Sequence, residues 1–339
     1  MTLKDIAKEA GVSVSTVSRV IHHKPNAAGK DVQKKIWAIV RKSGYMPNAA
    51  AQSLKAGIEH PSSMPASYIV CIFDGSADTG ADSFFTSFSE GLEQEAFKYR
   101  YLIKYIYMTS ETETLSEAAQ VPRQTKGAVI FGQPGRRMTD MAAGYFRHVV
   151  YAGINHQAMN CDRIICDGHE AAAAAVSELL DLGHTKIAYI GSISNDSCYD
   201  GYCAALALRN LPIRNEYIVS SEISFGGGQS GAQKLLENGT DFTAVFCQDD
   251  SIAAGAIPTL QNRNLRIPKD ISVIRVGDLK YAQSISPMLT TIHIPAEELG
   301  RMAAKTLIDR INGGHRLTLT VTLPFFIVRR ESCSEPKSY

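Results

Sequence analysis

From residue 68 onward the chain repeats one pattern, a short and almost wholly apolar run followed by a longer stretch with helical spacing. The runs are YIVCIF (68–73), YLIKYIYM (101–108), GAVIFG (127–132), HVVYAGI (148–154), KIAYIG (186–191), TAVFC (243–247) and ISVIRVG (271–277). Helical segments separate them, among them 85–98, 168–182, 198–210, 227–238, 249–263 and 295–312. Strands this apolar must be covered on both faces, and strands alternating with helices do so by forming parallel sheets in an α/β fold. The runs are too numerous for one comfortable sheet, so two doubly wound subdomains are expected. Ligands of such folds sit outside the carboxyl ends of the strands, and two facing subdomains make a cleft.

The first sixty residues follow another rule. TLKDIAKEAG places Leu3, Ile6, Ala7 and Ala10 at spacings of three and four, Thr2 with Asp5 resembles a capping box, and Gly11 suits the position after a helix. VSVSTVSRV (12–20) alternates like a strand at first, but the alternation breaks at Thr16 and Val17 and no hairpin partner flanks it. A helix over 14–22, N-capped by Ser13, puts Val17, Val20 and Ile21 on one side and Val14, Ser15, Ser18 and Arg19 on the other. Val32, Ile36, Ile39 and Val40 make a third helical pattern that Gly44 stops, completing a helix-turn-helix unit. In YMPNAAAQSLKAG, Pro47 fixes the entry and Asn48 caps a short helix over 48–56, too small to be stable without a partner. HPSSMPAS (60–67) is the best domain boundary.

Charge is distributed to match. Residues 1–60 hold ten Lys/Arg against four Asp/Glu, which leaves 25 against 30 in the remainder of a chain whose net charge is +1. A basic head on an acidic body fits a nucleic-acid-binding module attached to something else. Seven scattered cysteines (71, 161, 166, 198, 203, 247, 333) without a CxxC pair suit reduced thiols, and predict neither a disulfide framework nor a metal site. The charged, amphipathic amino terminus and the lack of a membrane-length apolar run lead us to expect a cytoplasmic protein with no membrane partner.

The phrases TLKDIAKEAGVSVSTVSRV, SGYMPNAAAQSL, LGHTKIAYIG (182–191), DDSIAAGA (249–256), PMLTTI (287–292) and RES (330–332), in this order from end to end, resemble the lactose/galactose-repressor family of bacterial transcription regulators. The resemblance implies an all-α helix-turn-helix DNA-binding domain (1–57, with a hinge helix at 48–56) and a linker (58–67). An α/β, periplasmic-binding-protein-like effector and dimerisation domain (68–339) of two doubly wound parallel-sheet subdomains follows. It further implies a homodimeric, non-enzymatic repressor that binds a double-stranded operator and needs no cofactor. Helix 14–22 would enter the major groove with Val14, Ser15 and Arg19 at base edges and Thr2, Ser13, Thr16 and Ser18 at phosphates. Leu54, flanked by Gln52 and Lys55, matches the family's minor-groove wedge, and Tyr45 and Asn48 join the DNA-contacting set. No heptad-bearing tail follows RRESCSEPKSY, so a tetramerising coiled coil is not expected.

The same resemblance places a small effector, a sugar by preference, between the subdomains. Phe84 and Phe85 match an aromatic pair, Asp167 and Asp249 polar partners of sugar hydroxyls; Asp167 and Asp250 equally suit helix N-caps. Two family residues are missing. Cys198 stands where many relatives carry an effector-binding arginine, and Gly277 where they carry an aspartate, with Asp278 beside it. Arg275, two residues before Gly277 and on the same strand face, is a candidate compensating cation, and Arg136 and Arg137 in a PGRR loop are weaker ones. These losses keep a purine or nucleoside corepressor open as the alternative. Two remoter readings are a sugar receptor without a DNA role and an NAD-dependent enzyme. For the latter, Gly226, Gly228 and Gly231 spell GxGxxG with Asp249 and Asp250 about 20 residues on. A flexible glycine loop at the cleft mouth, opening helix 227–238, accounts for the motif as well.

Overall fold

The structure, a computed structural model, describes residues 3–21, 67–74, 83–108, 121–132, 134–154, 159–194, 197–239, 241–278 and 285–337, together with 28, 29, 31, 32, 35, 36 and 39. Helix α1 (Leu3–Ala10) ends at Gly11, whose φ of 73° opens a tight turn, and the Val12 amide closes that turn on the Ala7 carbonyl at 3.0 Å. Helix α2 (Val14–Ile21) starts behind Ser13, whose Oγ accepts from the Thr16 amide at 3.1 Å, so VSVSTVSRV is helical as its flanks predict. Residues 31, 32, 35, 36 and 39 are helical too, and Ile36 and Ile39 are buried with Ile6, Ala7, Ala10, Val17 and Val20. The expected hinge helix 48–56 and the linker up to residue 66 lie outside the described residues. Ser67, expected to close the linker, instead opens the first strand.

Two six-stranded sheets follow. The amino-terminal sheet has the order β11-β5-β4-β3-β1-β2. It comprises β1 (Ser67–Asp74), β2 (Tyr101–Met108), β3 (Thr125–Phe131), β4 (Val149–Gly153), β5 (Asp162–Ile165) and β11 (Thr320–Thr322). The carboxy-terminal sheet, in the order β12-β10-β9-β8-β6-β7, comprises β6 (Ile187–Gly191), β7 (Ile218–Ser220), β8 (Ala244–Cys247), β9 (Ser272–Gly277), β10 (Thr290–His293) and β12 (Phe326–Val328). Every pairing is parallel except that of β10 with β12. All seven apolar runs are strands. The strands the apolar pattern missed have only three or four residues, and all but β12 are mixed in polarity.

Helices α3 (Ser83–Lys98), α4 (Arg136–Tyr145), α5 (Gly168–Asp181), α6 (Ser197–Leu208), α7 (Phe225–Glu237), α8 (Asp250–Gln261) and α9 (Ala296–Ile311) cover the faces. Arg136 and Arg137 therefore open helix α4 behind Gly135, which corrects the expectation of a PGRR loop. Helix α5 packs on β8, β9 and β10, whereas α9 returns to pack on α3, β3, β4 and β5. The chain thus passes between the sheets three times among the described residues, at 166–167, 294–295 and 323–325. One core cluster spans both sheets, from Ile69, Phe131 and Ala152 through Tyr189, Phe246 and Ile274 to Leu299 and Leu307.

Helix pairs meet at glycines. A methyl group on Gly228 of α7 would overlap the Ile252 carbonyl of α8, one on Gly255 would overlap the Phe225 carbonyl, and Gly91 and Gly300 play the same part between α3 and α9. This corrects the flexible-loop reading of GGGQSG. The segment is the first turns of α7, N-capped by Ser224, and its Gly227, Gly228 and Gly231 are buried against Glu222, Ile252 and Ile190. No open phosphate cradle remains there, so the fingerprint is a helix-packing device.

Gly228→Ala should cost about 1–3 kcal/mol of stability through overpacking. Gly226→Ala, on an open position of the same turn, should be neutral or stabilise by about 0.4–1 kcal/mol. Denaturant unfolding of the two variants measures the difference.

Candidate functional site

Helix α2 presents Val14, Ser15 and Arg19 to solvent, on the side opposite buried Val17 and Val20. The Ser13 hydroxyl lies 2.8 Å from those of both Ser15 and Thr16 and also caps the helix, and Thr16 is half-buried. Ser18 lies on α2, with its side chain outside the described set. Thr2, Tyr45, Asn48, Gln52, Leu54 and Lys55 lie outside the described residues.

At the carboxyl end of the amino-terminal sheet, the expected Phe84 and Phe85 stand in the first turn of α3 as part of an aromatic wall. Phe85 packs on Phe73 at the end of β1 with ring centroids 4.3 Å apart and on Tyr105 at 5.6 Å. Phe131, the last residue of β3, stacks on Phe88 at 4.0 Å and on Phe84 at 5.8 Å. Offset and tilted pairs at these separations are attractive beyond their area burial. Both expected residues are half-buried, so each belongs to the core on one side and to the wall on the other. Phe73 and Phe131 were missed, although each closes an apolar run of the sequence.

Just beyond the carboxyl ends of β5 and β8, two expected carboxylates are helix caps. Asp167, in the first crossing, accepts from the Glu170 amide at 3.1 Å and starts α5, and Asp249 accepts from the Ile252 amide at 2.9 Å and starts α8. A methyl on Gly168 would come within 2.6 Å of Ser197 Oγ, so the first turns of α5 and α6 nearly touch. Gln248, also missed, takes the Ser192 amide on its Oε1 at 2.6 Å and ties the end of β8 to the loop after β6. Tyr189 closes the same loop by donating to the Ser192 carbonyl at 2.7 Å.

Four expectations change. Asp250 is not an N-cap; it is buried and forms an ion pair with Arg275. Arg275 is accordingly no cation open to the cleft, because its guanidinium is wholly buried in that pair. A side chain on Gly277 would collide with the Asp250 carboxylate and come within 2.7 Å of Arg275 Nη1. The space a side chain at 277 would need is thus filled by the Asp250–Arg275 pair. Asp278 is engaged on both oxygens, by Arg330 Nη2 at 2.6 Å and by His293 Nδ1 at 3.0 Å, so it ties the end of β9 to β10 and to the segment after β12. Burial alone would raise its pKa, but His293 and Arg330 hold it below the ordinary carboxylate value. Cys198 is buried with Tyr189 and Tyr202 in the main core cluster, as a packing residue of α6. Among the described residues no group of three His, Cys, Asp or Glu is placed to hold a metal ion, and no helix is long and apolar enough to cross a membrane.

Comparison with known proteins agrees with this architecture. Residues 2–48 match the bacterial regulatory proteins of the lacI family, and residues 176–333 match the periplasmic binding protein-like domain. The ribose operon repressor of Haemophilus influenzae is 31% identical over 338 residues, covering 98% of each chain. The lac repressor dimer bound to operator and an anti-inducer superposes with a TM-score of 0.70 at 21% identity, over 98% of this chain and 99% of that one. A LacI family regulator of Enterococcus faecium with bound ribose gives a TM-score of 0.69 at 24% identity, over 79% of this chain and all of that one, covering 100% of it.

Asp250→Ala takes the paired carboxylate from the buried Arg275 guanidinium and should cost about 3–5 kcal/mol. Removing the neighbouring cap by Asp249→Ala should cost only about 0.5–2 kcal/mol. Urea unfolding of both variants would show the contrast, and equal losses would remove the assigned roles.

Proposed function

The chain belongs to the lacI family of bacterial regulatory proteins, and from that membership we propose that it is a transcriptional repressor whose operator affinity is set by a small effector, by preference a sugar. What supports the DNA reading is α2 itself, which turns Val14, Ser15 and Arg19 outward over a core closed by Ile6, Val17, Val20 and Ile36. Arg19 is the natural bidentate reader of a guanine, Val14 meets a thymine methyl, and Ser13, Thr16, Ser18 and Thr2 serve phosphates. Leu54, with Gln52 and Lys55, is proposed to wedge the minor groove from a hinge helix at 48–56, beside Tyr45 and Asn48. The domain scheme is DNA-binding through 57, linker, then effector and dimerisation domain from β1 onward.

The sugar reading is supported by the aromatic wall of Phe84 and Phe85, by the cap carboxylates Asp167 and Asp249 just beyond the carboxyl ends of β5 and β8, and by the ribose bound to the Enterococcus regulator. An aromatic face covers the apolar side of a ring while carboxylates take adjacent hydroxyls. Ligand binding between the sheets would turn one against the other about the three crossings and shift the paired hinge helices. Ligand and operator then affect each other's affinity by the same factor. We take the working form to be a homodimer, as in the lac repressor dimer bound to operator, acting in the cytoplasm and without turnover.

Selection of duplexes from a random pool with the full chain tests the first half. Arg19→Ala should then lose about 1–3 kcal/mol and relax preference at one base position, and unchanged discrimination at every position counts against Arg19 as a reader. Thermal shift with ribose, other sugars, nucleosides and purine bases tests the second half. A cleft ligand at 100 times its Kd adds about 2.7 kcal/mol, and a shift by nucleosides or bases alone replaces the sugar with a purine-type corepressor.

A further inference from the structure

Each parallel sheet has two ends, and the carboxyl end of the amino-terminal sheet carries the aromatic wall. The opposite end is where the chain arrives from the DNA-binding unit, because β1 starts there at Ser67. Strand register sets the other strand starts beside it: Tyr101 of β2 pairs with Ser67, Thr125 of β3 with Tyr68, Val149 of β4 with Ala128, and Asp162 of β5 with Val150. The loops that lead into those strands therefore share one surface.

That surface is basic by construction. Arg123, Lys126, Arg147 and Arg316 are exposed on it, and among the described residues none of them takes part in an ion pair. The carboxylates nearby are turned inward or already engaged. Asp162 is buried and held by Arg310 and His315, Asp309 by His315, and Glu95 by Lys98. Exposed Asp140 has Arg136 at 3.8 Å. His148, on the same surface, has its pKa lowered by burial and by the positive charges of Arg147 and Arg310. A second observation fixes the direction this surface faces. Phe97, in the last turn of α3 just before β2 begins, is buried in the same cluster as Ile6, Ala7, Val17 and Ile36 of the DNA-binding unit. The three-helix unit is seated at this end of the sheet.

We propose that this end of the amino-terminal sheet is a second, sequence-independent DNA contact, in which Arg123, Lys126, Arg147 and Arg316 take backbone phosphates of the duplex that α2 reads. The inference rests on the DNA-binding reading above. Guanidinium and ammonium groups at phosphates add affinity by releasing condensed counterions and carry no base information. Such a contact strengthens the grip on DNA while leaving the choice of site to α2.

The test compares the full chain with its Arg123→Gln/Lys126→Gln/Arg147→Gln variant, on a duplex recovered by the wild-type chain from a random pool and on a scrambled duplex, across a salt series. Each lost phosphate contact should lower the slope of log affinity against log salt by about 0.9, so by about 2.7 for the three, on both duplexes and with the same base preference. Arg316→Gln, on a separate loop, should lower it by about 0.9, and Arg123→Lys/Arg147→Lys should keep the wild-type slope. A wild-type slope in the triple and Arg316 variants overturns the proposal, as does a loss of base preference at constant slope. A wild-type chain that binds neither duplex overturns the DNA-binding reading itself.

Discussion

Three short crossings join the two sheets, and the rest of the molecule depends on how they are held. The Cys166 amide donates to the Gly153 carbonyl at 3.1 Å, Ile294 to Gly277 at 3.3 Å, and Leu323 to Ile165 at 2.7 Å. Each crossing thereby extends the ladder of the strand it leaves, the first two running on into helices α5 and α9 and the third into β12, and none is a free linker. Three such ties keep the two bodies from drifting apart. The shared core around Phe131, Tyr189, Phe246 and Leu299 then sets which orientation is favoured, and any molecule gripping both sides alters that balance.

Most of the architecture is legible in the order of the residues because its elements are buried and periodic. The seven apolar runs become strands, and six helices fall within two residues of their expected limits. What escapes is marginal in a physical sense. Strands β5, β7, β10, β11 and β12 have three or four residues, and several of them border the sheets, so neighbours rather than composition hold them in place. Helix α4 escapes because Pro134 and Gly135 read as loop before two arginines, and only its buried Met138 and Ala142 declare it.

The candidate site is less legible, since spacing does not say which way a charge is turned. Arg275 and Gly277 share a strand face as the sequence suggests, yet the pair that matters is Arg275 with Asp250, from a helix 25 residues earlier in the chain. Asp278 is likewise taken by Arg330, 52 positions on. Long-range ion pairs of this kind have no local signature. Caps such as Asp167 and Asp249 do have one, because their partner lies three residues away; the sequence locates the first and places the second one residue late, at Asp250.

The strand order has a consequence for how the molecule is made. The first sheet is not complete until β11 at Thr320–Thr322 is added, and the second waits for β12 at Phe326–Val328. The final stretch then packs along the second sheet: His184 meets the Ser334 carbonyl at 2.8 Å, and Ser332 donates to the Val273 carbonyl at 2.6 Å. At about 5–20 residues per second of synthesis, the amino-terminal helices leave the ribosome tens of seconds before the body that governs them can close. A nascent chain therefore carries a finished reading head long before it carries anything to restrain it.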